Sequence, residues 1–191
     1  MRNKLFTAIS GGKYKGKKLL LPPLSSTRST KSIIKESFFN TVQFEIIQKN
    51  FIELFAGSGS MGLEAISRGA KRAYFVEKDK NAYEILLQNI ASLNVEDKCS
   101  AVYGNTFVEF YNIIENIEEK SYFYFDPPFE IRDGMNEIYE KCYQLIKNIP
   151  TQKCELIAIE HMSSIVPHRE IGSYKMQKNK KFGKTTISYY R

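Results

Sequence analysis

The sequence predicts an α/β fold: a mostly parallel sheet with helices on both faces, closed by a C-terminal antiparallel hairpin and preceded by a small β-hairpin and helix. Two observations carry this. From residue 51 onward, short apolar runs alternate with amphipathic stretches at helical spacing, the signature of strands and helices that take turns along a parallel sheet. The glycines and prolines of this region fall at the ends of the apolar runs, where a chain must turn.

The elements follow in order. Residues 5–21 read as two short strands around Gly11-Gly12-Lys13-Tyr14-Lys15-Gly16-Lys17-Lys18, glycines for the turn and lysines to keep an edge soluble. Residues 22–27, with Pro22 and Pro23, form a loop. Residues 31–48 read as a helix, with Ile34, Phe38, Val42 and Ile46 at spacing four and Thr30 as N-cap. Strand and helix then alternate: strand 51–56, helix 61–68 stopped by Gly69, strand 73–76, helix 81–93, strand 100–103, helix 107–117, strand 121–125, helix 137–149 and strand 156–159. Residues 174–177 and 185–190 form the closing hairpin around 179–184. Two units are expected: a basic extension over 1–50 that contacts RNA, and a catalytic domain over 51–191.

Composition narrows the class. A hydrophobic fraction of 42% and a charged fraction of 26% suit a soluble globular chain. No apolar run approaches the roughly 18 residues that span a bilayer. Met1-Arg2-Asn3-Lys4-Leu5 leads into no signal-peptide core, so a cytoplasmic location is expected. Cys99, Cys142 and Cys154 are odd in number and widely spaced, which opposes a disulfide framework; buried packing is expected of all three. With His161 and His168 the only imidazoles, no metal site is expected. The net charge of +7 is unevenly spread. Residues 1–50 hold 10 Lys/Arg against 2 Asp/Glu, residues 51–170 hold 12 against 19, and residues 171–191 hold 6 against none. Two basic ends around an acidic middle suit a polyanionic partner.

In open parallel sheets ligands bind beyond the carboxyl ends of the strands, so the residues that follow strands matter most. Gly57-Ser58-Gly59-Ser60-Met61-Gly62 matches G-x-G-x-x-G between a strand and a helix. Glu77 ends the next strand, where a carboxylate can accept from both ribose hydroxyls. Asn105, after the third strand, either reads an adenine amino group or caps the next helix. These features fit an adenosine-containing cofactor, dinucleotide or S-adenosylmethionine. Asp126-Pro127-Pro128-Phe129, after the fourth strand, distinguishes the two. An amino group on a base is a poor nucleophile, because its lone pair is delocalised into the ring. The Asp126 carboxylate and the Pro127 carbonyl can accept its two hydrogens, and both interact more strongly as positive charge develops on nitrogen. Proline fixes φ and so orients the carbonyl, and Phe129 offers a face for base stacking. A nicotinamide-dependent oxidoreductase would share the glycine loop and leave this tetrapeptide without a role.

The run Glu53-Leu54-Phe55-Ala56-Gly57-Ser58-Gly59-Ser60-Met61-Gly62-Leu63-Glu64-Ala65, with Ser67-Arg68-Gly69-Ala70, resembles the bacterial RsmD family. The N-terminal half agrees through Ile9-Ser10-Gly11-Gly12, Lys15-Gly16-Lys17-Lys18-Leu19, Pro22, Arg28-Ser29-Thr30 and Lys35-Glu36-Ser37-Phe38-Phe39-Asn40. The chain departs at Ser29 and Lys35, where the family usually has Pro and Arg. The resemblance implies a class I methyltransferase fold with a seven-stranded sheet and S-adenosylmethionine as methyl donor. It implies an Asp/Asn-Pro-Pro-aromatic loop acting on a flipped-out guanine of 16S ribosomal RNA, as in the (guanine(966)-N(2))-methyltransferases. The cofactor site is then expected at Glu53, Phe55, Ala56, Gly57, Ser58, Gly59, Met61, Gly62, Glu77, Lys78, Asn105, Thr106 and Asp126. RNA contacts are expected from Lys13, Lys15, Lys17, Lys18, Arg28, Thr30 and Lys31, and from Lys180, Lys181 and Lys184. The partner is ribosomal RNA, free or in a small-subunit ribonucleoprotein, met by a monomer. A related enzyme acting on adenine in DNA or RNA, or on a protein glutamine, is the alternative. The basic segment with its Gly11-Gly12 turn favours structured RNA.

Overall fold

The computed structural model describes residues 5–23, 28–128 and 135–191. Its centre is an eight-stranded sheet. In chain order the strands are β3 (Asn50–Leu54), β4 (Arg72–Glu77), β5 (Cys99–Tyr103), β6 (Ser121–Phe125), β7 (Cys154–Met162), β8 (Glu170–Ile171), β9 (Tyr174–Phe182) and β10 (Thr185–Tyr190). Their spatial order is β5-β4-β3-β6-β7-β10-β9-β8. The first five are parallel, and β10 enters antiparallel between β7 and β9. A separate ribbon, β1 (Leu5–Ala8) with β2 (Lys18–Leu21), precedes them.

The central strands are buried on both faces, which is why β3 and β6 read as unbroken apolar runs. Alternate residues serve opposite cores. Phe51, Tyr122, Tyr124, Leu156 and Ala158 point into one, packed against α1 (Arg28–Val42), α2 (Ser60–Ser67) and α3 (Lys80–Leu93). Ile52, Leu54, Phe123, Phe125, Ile157 and Ile159 point into the other, against α4 (Thr106–Asn116) and α5 (Met135–Lys147). Ile9 and Leu19 of the N-terminal ribbon join the first core.

Polar ties hold that ribbon down. Glu64 on α2, fully buried, accepts from Ser10 N and Gly11 N at 2.8 and 2.9 Å and from Arg68 Nε at 2.8 Å. Lys35, 3% exposed, lies 3.3 Å from the same carboxylate and donates to Ala8 O at 2.7 Å. Burial works against charge on Glu64, yet Lys35 and the N–H donors keep its pKa below the ordinary value. At the end of α2, Ser67 O accepts from Lys13 N at 2.7 Å and Ser67 Oγ from Tyr14 N at 2.9 Å. Buried Asn89 on α3 joins the ribbon to the glycine loop, donating to both Leu20 O and Ser58 O.

Five details differ from the sequence expectation. The helix expected over 31–48 starts at Arg28 and ends at Val42, followed by a 3-10 turn over Gln43–Ile46. Spacing four describes Ile34, Phe38, Val42 and Ile46, all buried, without distinguishing the tighter last turn. Thr30 therefore lies inside the first turn of α1 and is not its N-cap. The sheet gains an eighth, two-residue strand, β8, which pairs with β9. Cys142 and Cys154 are buried, but Cys99 is half-exposed because β5 is an edge strand. The closing hairpin is also tighter than expected: β9 runs on to Phe182, leaving two residues in the turn.

Candidate active site

The strand order reverses between β3 and β6, so the loops leaving these neighbours diverge and open a crevice at the carboxyl edge. One loop is the glycine run, and the other starts at Asp126.

On the first side, Phe55 leaves β3 with φ 65°, a left-handed conformation unusual for a side chain of its bulk. Its ring meets Phe107 edge-on at 5.7 Å. Gly57 and Gly59 also have positive φ, but for different purposes. A Cβ on Gly59 would lie 2.3 Å from Leu86 Cδ1, and one on Gly62 2.4 Å from Phe75 Cε1, so these two let α2 close on the sheet and α3. A Cβ on Gly57 would meet nothing within 4 Å, so Gly57 faces open space. Two carboxylates hold the loop. Glu53 accepts from Gly62 N at 2.7 Å and Met61 N at 3.3 Å, pinning the start of α2. Burial pushes its carboxyl up to about 8. Glu77 accepts from Gly57 N at 2.6 Å and from Asp79 N at 2.7 Å. Ala56, Ser58 and Met61 are buried in this loop, while Lys78 is exposed. Asn105 caps α4, its side chain accepting from Phe107 N at 3.0 Å, and Thr106 behind it is buried.

On the second side, Asp126 N donates to Leu54 O at 3.3 Å, which carries the pairing of β3 and β6 one step beyond β6. The Asp126 carboxylate lies 3.1 Å from Lys31 Nζ on α1. That neighbour raises the Lys31 pKa, against the effect of burial. Pro127 is buried and Pro128 exposed. Phe129 lies outside the described residues. One strand over, Glu160 is buried on β7, in the rung after Phe125–Ile159 and so beside Asp126. Tyr124 O–H donates to Glu160 Oε1. Burial, with Asp126 adjacent, pushes the Glu160 carboxyl up to about 8.

Sequence reasoning missed Glu160 and the pairing of Lys31. A signal for Glu160 existed: a carboxylate closing the apolar run Leu156-Ile157-Ala158-Ile159, where water is scarce. Lys31, expected to contact RNA, is paired with Asp126. Lys13, Lys15, Lys17 and Lys18 are exposed on the N-terminal ribbon and its turn. Arg28 and Thr30 belong to α1, but their side chains lie outside the described residues. Lys181 and Lys184 are exposed, and Lys180 is half-buried, donating to Ser37 Oγ at 3.1 Å and Thr41 Oγ1 at 3.3 Å on α1. The contact brings the basic strand β9 against the basic N-terminal segment.

Residues 7–191 match the family model described as Conserved hypothetical protein 95. The chain is similar to "Ribosomal RNA small subunit methyltransferase D" of Haemophilus influenzae, 33% identical over 121 residues, which are 63% of each chain. The match thus spans less than two thirds of that relative's length. It is similar along nearly its whole length to "Putative rRNA methyltransferase YlbH" of Bacillus subtilis, 29% identical over 187 residues, 96% of this chain and 97% of the relative. Among solved structures it resembles "Putative methyltransferase yhhF from Escherichia coli", with a TM-score of 0.75, 26% identity and 97% of each chain covered. The fold is thus shared with methyltransferases.

Proposed function

The chain belongs to the family described as Conserved hypothetical protein 95, and from that premise we propose that it is an S-adenosylmethionine-dependent methyltransferase acting on N2 of a guanine in 16S ribosomal RNA. One observation carries the reading. The glycine loop and Asp126 leave adjacent strands at the point of reversal, and the Asp126 N–H bond to Leu54 O fixes the spacing between them.

The residues fit the cofactor. The open space at Gly57 admits a ligand against the backbone. Glu77 is fixed by two N–H groups and retains lone pairs for ribose hydroxyls. Phe55 and Phe107 give an apolar wall. Asn105 uses its side-chain oxygen for the cap, and its amide NH2 can donate to a ligand. S-adenosylmethionine, when bound, supplies an electrophilic methyl group.

The chain's own residues supply position and charge. Asp126 and the Pro127 carbonyl accept the two amino hydrogens, localising the nitrogen lone pair towards the methyl group. Both acceptors strengthen their hold as nitrogen becomes positive, which favours the transition state over the bound base. Lys31 occupies Asp126 until the base arrives. Residues 1–50 form a basic extension that contacts RNA around a catalytic unit over 51–191. The exposed lysines at 13, 15, 17 and 18, with those of β9, hold phosphates without reading sequence. Their attraction offsets the few kcal/mol needed to extrude a stacked base.

The test is transfer of labelled methyl from S-adenosylmethionine to unmodified 16S ribosomal RNA, free and in small-subunit particles, with the product nucleoside identified. N2-methylguanosine is expected. A methylated adenosine would refute the guanine assignment, and no transfer to either substrate would refute the activity.

A further inference from the structure

Asp126 and Pro127 account for the amino group of a base, but adenine, cytosine and guanine all carry one. A site that chooses among them must read the atoms beside that group. Guanine presents, in order along its Watson–Crick edge, the N2 amino donors, the N1–H donor and the O6 acceptor. Adenine presents its amino donors next to an N1 acceptor, and cytosine its amino donors next to an N3 acceptor. A carboxylate beside the amino site therefore attracts guanine and opposes the lone pair of the other two.

We propose that Glu160 and Lys31 read the target base, Glu160 accepting N1–H and Lys31 donating to O6, so that with Asp126 they form an acceptor–acceptor–donor row complementary to guanine. The inference rests on the methyltransferase reading above and names the residues that give it base specificity. Glu160 and Asp126 sit side by side at the carboxyl ends of paired strands, and Lys31 lies 3.1 Å from the Asp126 carboxylate. Glu160 also feels the charge of Lys31, so the three groups share one neighbourhood. Among the described residues, Tyr124 alone hydrogen-bonds the Glu160 carboxylate, and only at Oε1. That bond orients the carboxylate and leaves its second oxygen for the base. The Lys31 side chain is half-exposed and can swing from Asp126 to a base oxygen nearby.

The energetics set one condition: the ionised Glu160 that accepts N1–H must be held against the cost of burial. Glu160 is 5% exposed, and a carboxylate so buried is costly unless donors reach it. Burial raises its carboxyl towards about 8, while Lys31 acts in the opposite direction. An arriving N1–H adds a further donor and favours the ionised acceptor. A base that placed a lone pair there would leave two acceptors facing each other. Sites built to hydrogen-bond a donor reject analogues lacking it far more strongly than sites that differ by a methylene.

The experiment maps the methylated guanine, then replaces it by 2-aminopurine, which keeps the 2-amino group and lacks both N1–H and O6. Methyl transfer to the two RNAs is compared for the parent chain, Glu160→Gln and Lys31→Met, with S-adenosylmethionine binding as the control for folding. The parent should favour guanine in kcat/KM by roughly tenfold or more. Glu160→Gln should narrow that ratio to about threefold or less, because an amide can donate to the bare N1. Lys31→Met, which also removes the partner of Asp126, is read by the ratio alone, and should narrow it because only guanine loses an O6 contact. A parent ratio preserved in both variants would overturn the assignment while leaving the methyltransferase reading intact. A parent that methylates no guanine would overturn both. Should Glu160→Gln fail to bind cofactor, Lys31→Met decides by the same ratio.

Discussion

The two sides of the crevice use carboxylates in opposite ways. Glu53 and Glu77, beside the glycine loop, are bonded to backbone N–H groups of the loop and its flanks. Asp126 and Glu160, across the crevice, are bonded to side chains that come from elsewhere, Lys31 and Tyr124. Backbone partners cannot leave without unfolding a turn, whereas a lysine can be exchanged for a substrate. The first side is built to keep its shape, the second to trade partners.

That contrast is most sharply tested at Asp126. Asp126→Ala should reduce methyl transfer by about 10²–10³, the usual cost of losing one preorganised acceptor. Cofactor affinity, measured by isothermal titration, should hardly change. A parallel loss of cofactor binding would mean that the two sides are not separate. On the first side, Glu77→Ala should weaken S-adenosylmethionine binding by about 1.5–3 kcal/mol, the range for bonds to a charged acceptor. The same titration would expose Glu77 as purely a loop fastener if the affinity held.

A smaller effect is expected from packing. Gly59→Ala forces a methyl to within 2.3 Å of Leu86 and should cost about 1–3 kcal/mol in urea unfolding. Gly57→Ala, with open space around it, should cost less stability and more cofactor affinity. Equal stability losses at the two glycines would erase the distinction between them.

A separate test lies in pH dependence. The folded Glu53 carboxyl is raised to about 8, against roughly 4.3 in an unfolded chain. Between those values the folded state keeps a proton that the unfolded state has lost, so stability falls as pH rises through the window. Glu53→Gln removes this contribution. Its melting temperature should fall less between pH 5 and pH 8 than the parent's, with Glu160 supplying some of the remaining slope. Parallel curves for the two proteins would show that Glu53 titrates normally.

What could be read in the sequence divides along the same line. The glycine loop, Glu77 and Asp126 were legible because each sits next to its strand, and strand ends are marked by local pattern. Glu160 and the Lys31–Asp126 pair were not. They depend on which strand lies beside β6 and on where α1 packs, and neither has a local signature. Asn105 was readable as one of two roles, and the fold supplies the cap. Thr30 was misassigned because a first-turn threonine and an N-cap threonine look alike in sequence. The alternation of strand and helix gave nearly every element to within a few residues, but β8, at two residues, is too short to leave a pattern.

Helix α2 also acts as a ruler. Its first turn is tied to Glu53 below the glycine loop, and its last residue, Ser67, seats the turn of the N-terminal ribbon. Six rises of 1.5 Å, from Met61 to Ser67, separate these fixtures by about 9 Å. One inserted residue would move the far end by about 1.5 Å and rotate it by roughly 100°, swinging Ser67 away from Lys13 and Tyr14. Side chains along α2 can change if the core still closes, but its length cannot, and an insertion or deletion there would set the glycine loop and the N-terminal ribbon at odds however well the helix itself formed.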